Sequence, residues 1–259
     1  MIRNATRLLP LGTVGAAMVT MSWATSANAL VTFGNQAPIT NTNASVINDN
    51  NNDPSTGQLS PQRKAVGFTT DSRNWTLNGV TLGLLSYDSA DNAIIEIRSD
   101  SGGSPGTTLL TLNRPAIIPG GGGRRYFTFT PSGSNVLAAN TTYWLYVSGS
   151  SYSWFENGPV DPITGEAQED ASGNALPGPL PTAQNGSGWQ FVDYKFTGNG
   201  SLNWGPGNGV RNAFSIDASE ITPVPFAFSP IPGLIVSGII GGVKRARSKS
   251  HQAKSTAEA

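Results

Sequence analysis

The stretch Thr141-Thr142-Tyr143-Trp144-Leu145-Tyr146-Val147 decides the fold class. It is dominated by β-branched and aromatic residues, which fit a pleated, partly buried strand better than a helix. Seven further runs have this character or alternate with period two, and no segment between them keeps apolar residues at helical spacing over three turns. These runs are Ala65–Thr70, Thr76–Leu85, Ala93–Arg98, Thr107–Leu112, Tyr126–Thr130, Gln190–Phe196 and Ala213–Asp217.

Turn-forming sequence separates the runs. Asn78-Gly79, Gly102-Gly103 and Pro105-Gly106 supply residues that accept positive φ or preset a bend, so each pair predicts a turn. Asn140 is predicted to form a tight bend from which the next strand starts. Eight strands at intervals of about ten residues predict an all-β protein, an antiparallel β-sandwich of the jelly-roll kind.

Three stretches lack this strand pattern. Residues 30–62 are rich in Asn and Asp and are predicted to form a polar leader to a β-sandwich domain over 63–220. Residues 158–188 contain five prolines and are predicted to be a loop inserted between two strands. Loops of that length are uncommon in compact domains and are usually functional or disordered. Residues 198–209 are predicted to form a Gly- and Asn-rich hairpin.

The N-terminal segment has the layout of a secretory signal peptide. Two arginines precede a short apolar stretch, and the small residues Ala27 and Ala29 follow it. The apolar stretch is too short to span a bilayer. Residues 1–29 are therefore predicted to be a signal helix that the secretion machinery recognises. Cleavage is expected after Ala29, with Leu30 as the mature N-terminus.

The C-terminal segment over residues 223–249 has the layout of a membrane anchor. Only two serines carry polar side chains between Val224 and Val243, and four cations follow directly. A bilayer core requires about 20 apolar residues, and the cations place the body outside the cytoplasm. The pattern predicts a transmembrane helix followed by a disordered basic tail over 250–259. The alternative, a final helix packed on the body, should alternate polar and apolar residues.

This C-terminal segment resembles the PEP-CTERM class of bacterial sorting signals. It is most similar to the variant of cyanobacterial exported proteins that carries a Pro-Phe-x-Phe-Ser-Pro run. The resemblance implies anchoring in the membrane and processing by an exosortase-like enzyme. The residues that carry it are Pro223, Pro225, Phe226, Phe228, Ser229 and Pro230.

Two phrases of the body resemble the choice-of-anchor R domain. One is Ser99-Asp100-Ser101-Gly102-Gly103-Ser104-Pro105-Gly106 with the strand after it, and the other is Leu137-Ala138-Ala139-Asn140-Thr141-Thr142-Tyr143-Trp144-Leu145. Members of that family are exported bacterial β-domains that precede interchangeable anchoring signals. The resemblance runs from about Ala65 to Trp154 and implies a surface module without established chemistry.

Composition excludes several classes of function. Seven of the sixteen Lys and Arg residues and one of the sixteen Asp and Glu residues lie in the end segments, so residues 30–222 hold nine cations and fifteen acids. This acidic balance argues against nucleic acid as a partner. The chain has no cysteine, and its single histidine, His251, follows the anchor. Catalysis that depends on a Ser-His or Cys-His pair and a zinc site are therefore excluded.

Carboxylates leave two weaker possibilities open. Glu96, Glu156 and Asp193 could form the pair that a glycosidase needs, although surface acids are the more common interpretation. Four acids between residues 161 and 170 could gather a hard cation, but a solvated acidic loop is favoured and no metal ligand is predicted. No catalytic residue and no cofactor are predicted.

Three tryptophans are the candidates for ligand binding. Trp154, Trp189 and Trp204 lie beside Gly- or Asn-rich sequence, at a strand end or in a hairpin. Aromatic rings flanked by amides stack on the apolar faces of sugars in many β-sandwich modules. The other interpretation is that these rings cap the ends of the core.

Taken together, these features predict a non-catalytic exported module of the cell envelope or extracellular matrix. Its C-terminal segment would anchor it to the membrane or be processed to release it at the surface. The alternative is a carbohydrate-binding β-sandwich that recognises an envelope or matrix polysaccharide.

Overall fold

The computed structural model describes residues 29–36, 44–52, 57, 59–119, 123–150, 152–159, 161, 163–164, 168–172, 176–198, 201–207 and 211–222. These residues are all-β, with fourteen strands and no helix. Accordingly, none of them belongs to a helix long and apolar enough to cross a membrane. The predicted signal helix and anchor, with the sorting residues from Pro223 to Pro230, lie outside the described residues.

The strands are numbered in chain order. The first seven are β1 (Leu30–Gly34), β2 (Ala44–Ile47), β3 (Arg63–Thr69), β4 (Trp75–Leu85), β5 (Ile94–Asp100), β6 (Pro105–Asn113) and β7 (Arg124–Pro131). The second seven are β8 (Val136–Leu137), β9 (Thr142–Ser148), β10 (Tyr152–Phe155), β11 (Thr182–Ala183), β12 (Gln190–Gly198), β13 (Ser201–Pro206) and β14 (Phe214–Glu220). Each of the eight predicted runs overlaps one of these strands, so the all-β prediction is confirmed.

The strands form one curled antiparallel sheet, a half-barrel. Its main path runs β11-β1-β14-β4-β7-β6-β5-β9-β3-β12-β13. Within this path β6 and β7 are joined by only two residue pairs. Because the sheet curls, β1 comes to face β3, and the Phe33 and Phe68 ring centroids lie 5.9 Å apart in the core.

The first and last strands are neighbours in the sheet. β1 pairs antiparallel with β14 from Leu30–Ser219 to Gly34–Ser215. The N–H of Glu220 donates to the carbonyl oxygen of Ala29 at 2.9 Å, and the N–H of Ile221 donates to Asn74 at the same distance. Among the described residues, the sheet therefore begins at Leu30, and the chain after β14 is bonded back to Asn74, just before β4.

The structure corrects the prediction of a polar leader over 30–62. This stretch contributes β1 and β2, and the side chains of Val31, Phe33 and Ile47 are fully buried in the core. Each of the two strands turns at most two apolar side chains inward. So short an alternation of apolar and polar residues cannot be distinguished from chance. A strand is recognised from sequence only when the alternation continues over several residues.

Two predicted turns lie in strands instead, and one of them, Pro105-Gly106, forms the start of β6. Asn78-Gly79 lies inside β4, where the register against β14 shifts because Asp217 pairs with Gly79 and Ala218 with Leu77. Asn78 is therefore the extra residue of a β-bulge, and its side chain donates to Ser219 at 2.7 Å. The turn at Gly102-Gly103 is confirmed, since both residues have positive φ.

Asp71 ties the start of β4 to the end of the predicted loop. Its carboxylate accepts hydrogen bonds from the side chains of Arg73 and Trp75, the latter at 2.9 Å, and from the N–H of Gly188. Burial by itself would raise the pKa of Asp71, but the hydrogen bonds from Arg73, Trp75 and Gly188 outweigh it and lower the pKa to about 2.

We expect Asp71→Asn to lower the free energy of unfolding at neutral pH by about 1–2 kcal/mol, after allowance for solvent screening. A depressed carboxyl pKa stabilises the fold above the unfolded pKa near 4, and this contribution is lost as pH falls from about 4 to about 2. Urea unfolding followed by tryptophan fluorescence gives the free energy of unfolding at each pH across that range. This free energy should fall less steeply with decreasing pH in the variant than in the native chain. An equal fall in the two proteins would contradict the assignment.

Candidate functional site

Two of the three candidate tryptophans lie in the core. The Trp154 side chain is 0% exposed, its indole N–H donates to the carbonyl oxygen of Ala213 at 2.8 Å, and its edge packs on Phe214. The Trp189 side chain is 4% exposed and stacks on Phe68 with ring centroids 5.3 Å apart. Neither ring offers a face to a ligand, because protein atoms already cover it.

Trp204 lies apart from these two. It is half-buried on β13 and packs edge-on against Tyr146, with ring centroids 5.9 Å apart. The guanidinium carbon of Arg98 lies 3.5 Å from the centroid of the Tyr146 ring, so Arg98 covers a face of the tyrosine. No ring contact among the described residues joins Trp204 to Trp154 or Trp189, so the three do not form a common platform.

The candidate carboxylates are each bound to a different partner. Glu96 pairs with Arg98 at 2.6 Å, and Asp193 pairs with Lys195 at 2.8 Å. Glu156 accepts a short hydrogen bond from Ser45. Each of the three carboxylates is therefore held by a side chain of its own surroundings.

The acids of the predicted loop bind their own backbone. Asp161 accepts hydrogen bonds from the N–H groups of Ile163 and Thr164, and these bonds lower its pKa. Asp170 accepts one from Ser172. The part of the chain that the structure describes contains no cluster of three or more acidic or histidine side chains that could hold a metal ion.

A polar pocket lies where β1 ends and β14 begins. Its volume is about 230 Å³, and its walls come from both strands, from β11 and from the segment between β10 and β11. Four amide side chains line it, those of Asn35, Gln36, Asn157 and Gln184. We call this cavity the amide pocket.

Asn35 is fixed at the floor of the amide pocket. Its backbone N–H donates to the carbonyl oxygen of Phe214 at 3.0 Å, and its side-chain oxygen accepts from the Phe214 N–H. Its side-chain nitrogen donates to the hydroxyl oxygen of Tyr194 at 3.2 Å. Its backbone carbonyl oxygen accepts from the side-chain nitrogen of Asn157. Burial raises the pKa of Tyr194, so its hydroxyl stays neutral in this network. The amide orientations are thus set by the fold.

The predicted loop supplies one wall of the amide pocket. Arg211 donates to the carbonyl oxygen of Gly178 at 2.8 Å, and its own carbonyl oxygen accepts from the N–H of Asn157 at 2.6 Å. A Cβ atom at Gly178 would lie 1.2 Å from the carbonyl oxygen of Asn157, so only glycine fits there. This packing places Pro179 and Leu180 against the pocket.

A second cavity, also of about 230 Å³, lies beside the start of β3. Val46, Arg63, Lys64 and Phe196 contribute to its lining. Lys64 Nζ lies 5.7 Å from the Phe196 ring centroid, and burial lowers the pKa of this lysine. Arg63 is bound to Asp49 at 2.6 Å.

The residues of the amide pocket were not among the predicted site residues. They come from four separate stretches of the chain, around residues 32–36, 157, 179–184 and 215. No local spacing connects them, and the pairing of β1 with β14 is what brings them together. The length of the predicted loop was the one signal that pointed towards this region.

No model of a known protein family matches the sequence, and no significant match is found among curated proteins.

Proposed function

We propose that this protein is an exported, non-catalytic surface module of the cell envelope or extracellular matrix. One observation supports the proposal: among the described residues, the first strand begins at Leu30 and the last strand, its neighbour in the sheet, ends at Glu220. Leu30 is the residue expected after signal cleavage, and only Ile221 and Thr222 separate Glu220 from the sorting-like segment that starts at Pro223. Both predicted processing segments can therefore be removed without loss of a described strand.

The fold type is part of the proposal. A β-sandwich of the choice-of-anchor R type is compatible with a sheet that curls until β1 faces β3, with Phe33 packed on Phe68 between them. The partners would be the secretion machinery, an exosortase-like enzyme and the membrane. Polysaccharide recognition by Trp154, Trp189 and Trp204 is not favoured, since two of these rings are buried.

We expect protein recovered from fractionated cells to begin at Leu30 by intact mass. Ala29→Arg should block this processing, because the signal peptidase site requires a small residue at that position. Asn28→Arg is the matched control and should be processed normally, since the residue between the two alanines is not restricted in this way. Full-length protein in the cytoplasm, or equal processing of both variants, would contradict the proposal.

A chain that ends at Thr222 separates retention from export. Because it lacks the sorting-like segment, we expect it to be exported and then released instead of retained with the envelope. For the native chain, a mass that ends near Pro225 would identify processing by an exosortase-like enzyme. A complete C-terminus in the membrane fraction would identify a permanent anchor. Equal release of the native and shortened chains would contradict retention.

A further inference from the structure

We propose that the amide pocket binds a single uncharged sugar residue, or a polyol of similar size. The pocket joins three properties: a small volume, a lining of neutral hydrogen-bonding side chains, and a floor whose amides are held in place before any ligand arrives. The inference concerns what the displayed domain binds and does not depend on export or anchoring.

The volume sets the size of the ligand. The cavity has a volume of about 230 Å³. That space suits one sugar ring and is too small for several linked rings. Pockets for drug-sized ligands begin at about 300 Å³. The ligand is therefore one residue, either free or at the end of a chain.

The lining matches the chemistry of sugar hydroxyls. A hydroxyl group both donates and accepts hydrogen bonds, and the amides and hydroxyls of the pocket offer both functions as well. Besides the four residues with amide side chains, the hydroxyl-bearing residues Thr32, Thr182 and Ser215 line the cavity. A ligand with several hydroxyl groups can therefore exchange its bonds to water for bonds to the protein.

The floor is organised in advance. Asn35, Asn157 and Ser215 are only 7%, 6% and 5% exposed. Ser215 accepts a hydrogen bond from Gln36 at 2.8 Å, while Asn35 and Asn157 are bonded to each other and to the backbone. Side chains that are already ordered lose little conformational entropy when a ligand binds. The pocket is thus built for a ligand of defined shape.

Charge determines which sugars fit. No Lys, Arg, Asp or Glu side chain is among the described residues that line the amide pocket. Two charged residues in contact with the surroundings of the pocket are bound to protein atoms, since Arg211 donates to Gly178 and Asp217 accepts from Thr32 at 2.8 Å. A carboxylate or phosphate would leave water without gaining a cation, which is unfavourable. Uronic acids and sugar phosphates should be rejected.

Pro179 and Leu180 complete the site. Leu180 is exposed although it is apolar, and both residues lie on the pocket wall. The C–H face of a sugar ring can cover such a wall, which removes apolar surface from water. No aromatic ring is among the described lining residues, so the contact lacks the contribution of ring stacking. The affinity for one residue should therefore be modest.

The test is ligand-observed NMR on the purified full chain. The probes are methyl glycosides of neutral hexoses and of N-acetylhexosamine, with methyl glucuronide as the charged counterpart. We expect saturation transfer to a neutral probe and none to the glucuronide. Gln36→Ala and Gln184→Ala should each weaken binding about tenfold, the typical effect of one hydrogen bond lost. Both residues are exposed, so neither change should disturb folding.

Gln190→Ala is the matched control, because Gln190 is an exposed amide on β12 outside the pocket. Its binding should equal that of the native chain. The proposal is overturned if no neutral probe binds, if the glucuronide binds equally well, or if all three glutamine variants behave alike. The binding of a tetrasaccharide built from the same sugar is then compared with that of the methyl glycoside, to distinguish a polysaccharide end from a free sugar as the ligand. Tighter binding than that of the methyl glycoside supports the end of a polysaccharide, and equal binding supports a free sugar.

Discussion

Replacing Trp154 by alanine is expected to lower the free energy of unfolding by about 3–5 kcal/mol. The indole lies on β10 and is fully buried against Phe214 of β14, so its removal leaves a cavity there and takes away one of the two hydrogen bonds that the Ala213 carbonyl accepts, the other coming from the Gly83 N–H. A domain of this size has a total stability of about 5–15 kcal/mol, so a large part of it would be lost. Equilibrium unfolding in urea, followed by circular dichroism, measures the change.

Two further variants separate packing from hydrogen bonding and from surface effects. Trp154→Phe keeps most of the ring but loses the N–H donor, and should cost about 1–3 kcal/mol. Trp204→Ala removes a half-buried ring that makes one edge contact, and should cost about 1 kcal/mol. If Trp154 were instead an exposed binding platform, its alanine variant would stay within about 0.5 kcal/mol of the native chain.

Gly34→Ala is expected to have the second largest effect. A Cβ atom at this position would lie 2.1 Å from the carbonyl oxygen of Phe214, well inside van der Waals contact. Neither strand can easily move away, because Gly34 pairs with Thr182 on its other side and Phe214 pairs with Leu82. Overpacking of this kind costs about 3 kcal/mol. The same shift would distort the amide pocket, which Gly34 helps to line.

Gly133→Ala is the matched control for this steric effect. Nothing lies within 4 Å of a Cβ atom at Gly133. Removing a glycine where alanine fits reduces the entropy of the unfolded chain, so the change should be neutral or stabilising by up to about 1 kcal/mol. Thermal unfolding of the two variants gives the comparison. Similar midpoints would show that the strands separate at Gly34 more easily than the contacts indicate.

Part of the fold could be predicted from short stretches of sequence. β9 was found because Tyr143, Trp144 and Tyr146 favour extended backbone wherever they are placed. Gly102-Gly103 was recognised as a turn because glycine adopts positive φ without a steric penalty. Asn78-Gly79 carries the same local signal, yet it forms a bulge inside β4. Pairing with β14 sets the register of β4 on both sides of this bulge.

Burial and the amide pocket could not be predicted in this way. Trp189 follows Gly-rich sequence, which suggested an exposed ring, but the curl of the sheet lays Phe33 and Phe68 against it. The amides of Asn35 and Asn157 are more than a hundred residues apart in sequence. Their proximity depends on strand pairs formed over long distances, and no local propensity encodes such pairs.

The sequence alone therefore establishes the strand content, because β-branched and aromatic residues restrict their own backbone dihedrals. It also contains the patterns from which export and anchoring are predicted, which depend on the order of residues along the chain. Only the tertiary structure places β1 beside β14, buries Trp154 and Trp189, and gathers the amides of the pocket. Those features arise from contacts between segments that are distant in sequence. Such contacts form, and stabilise the protein, only when the sheet has curled around its core.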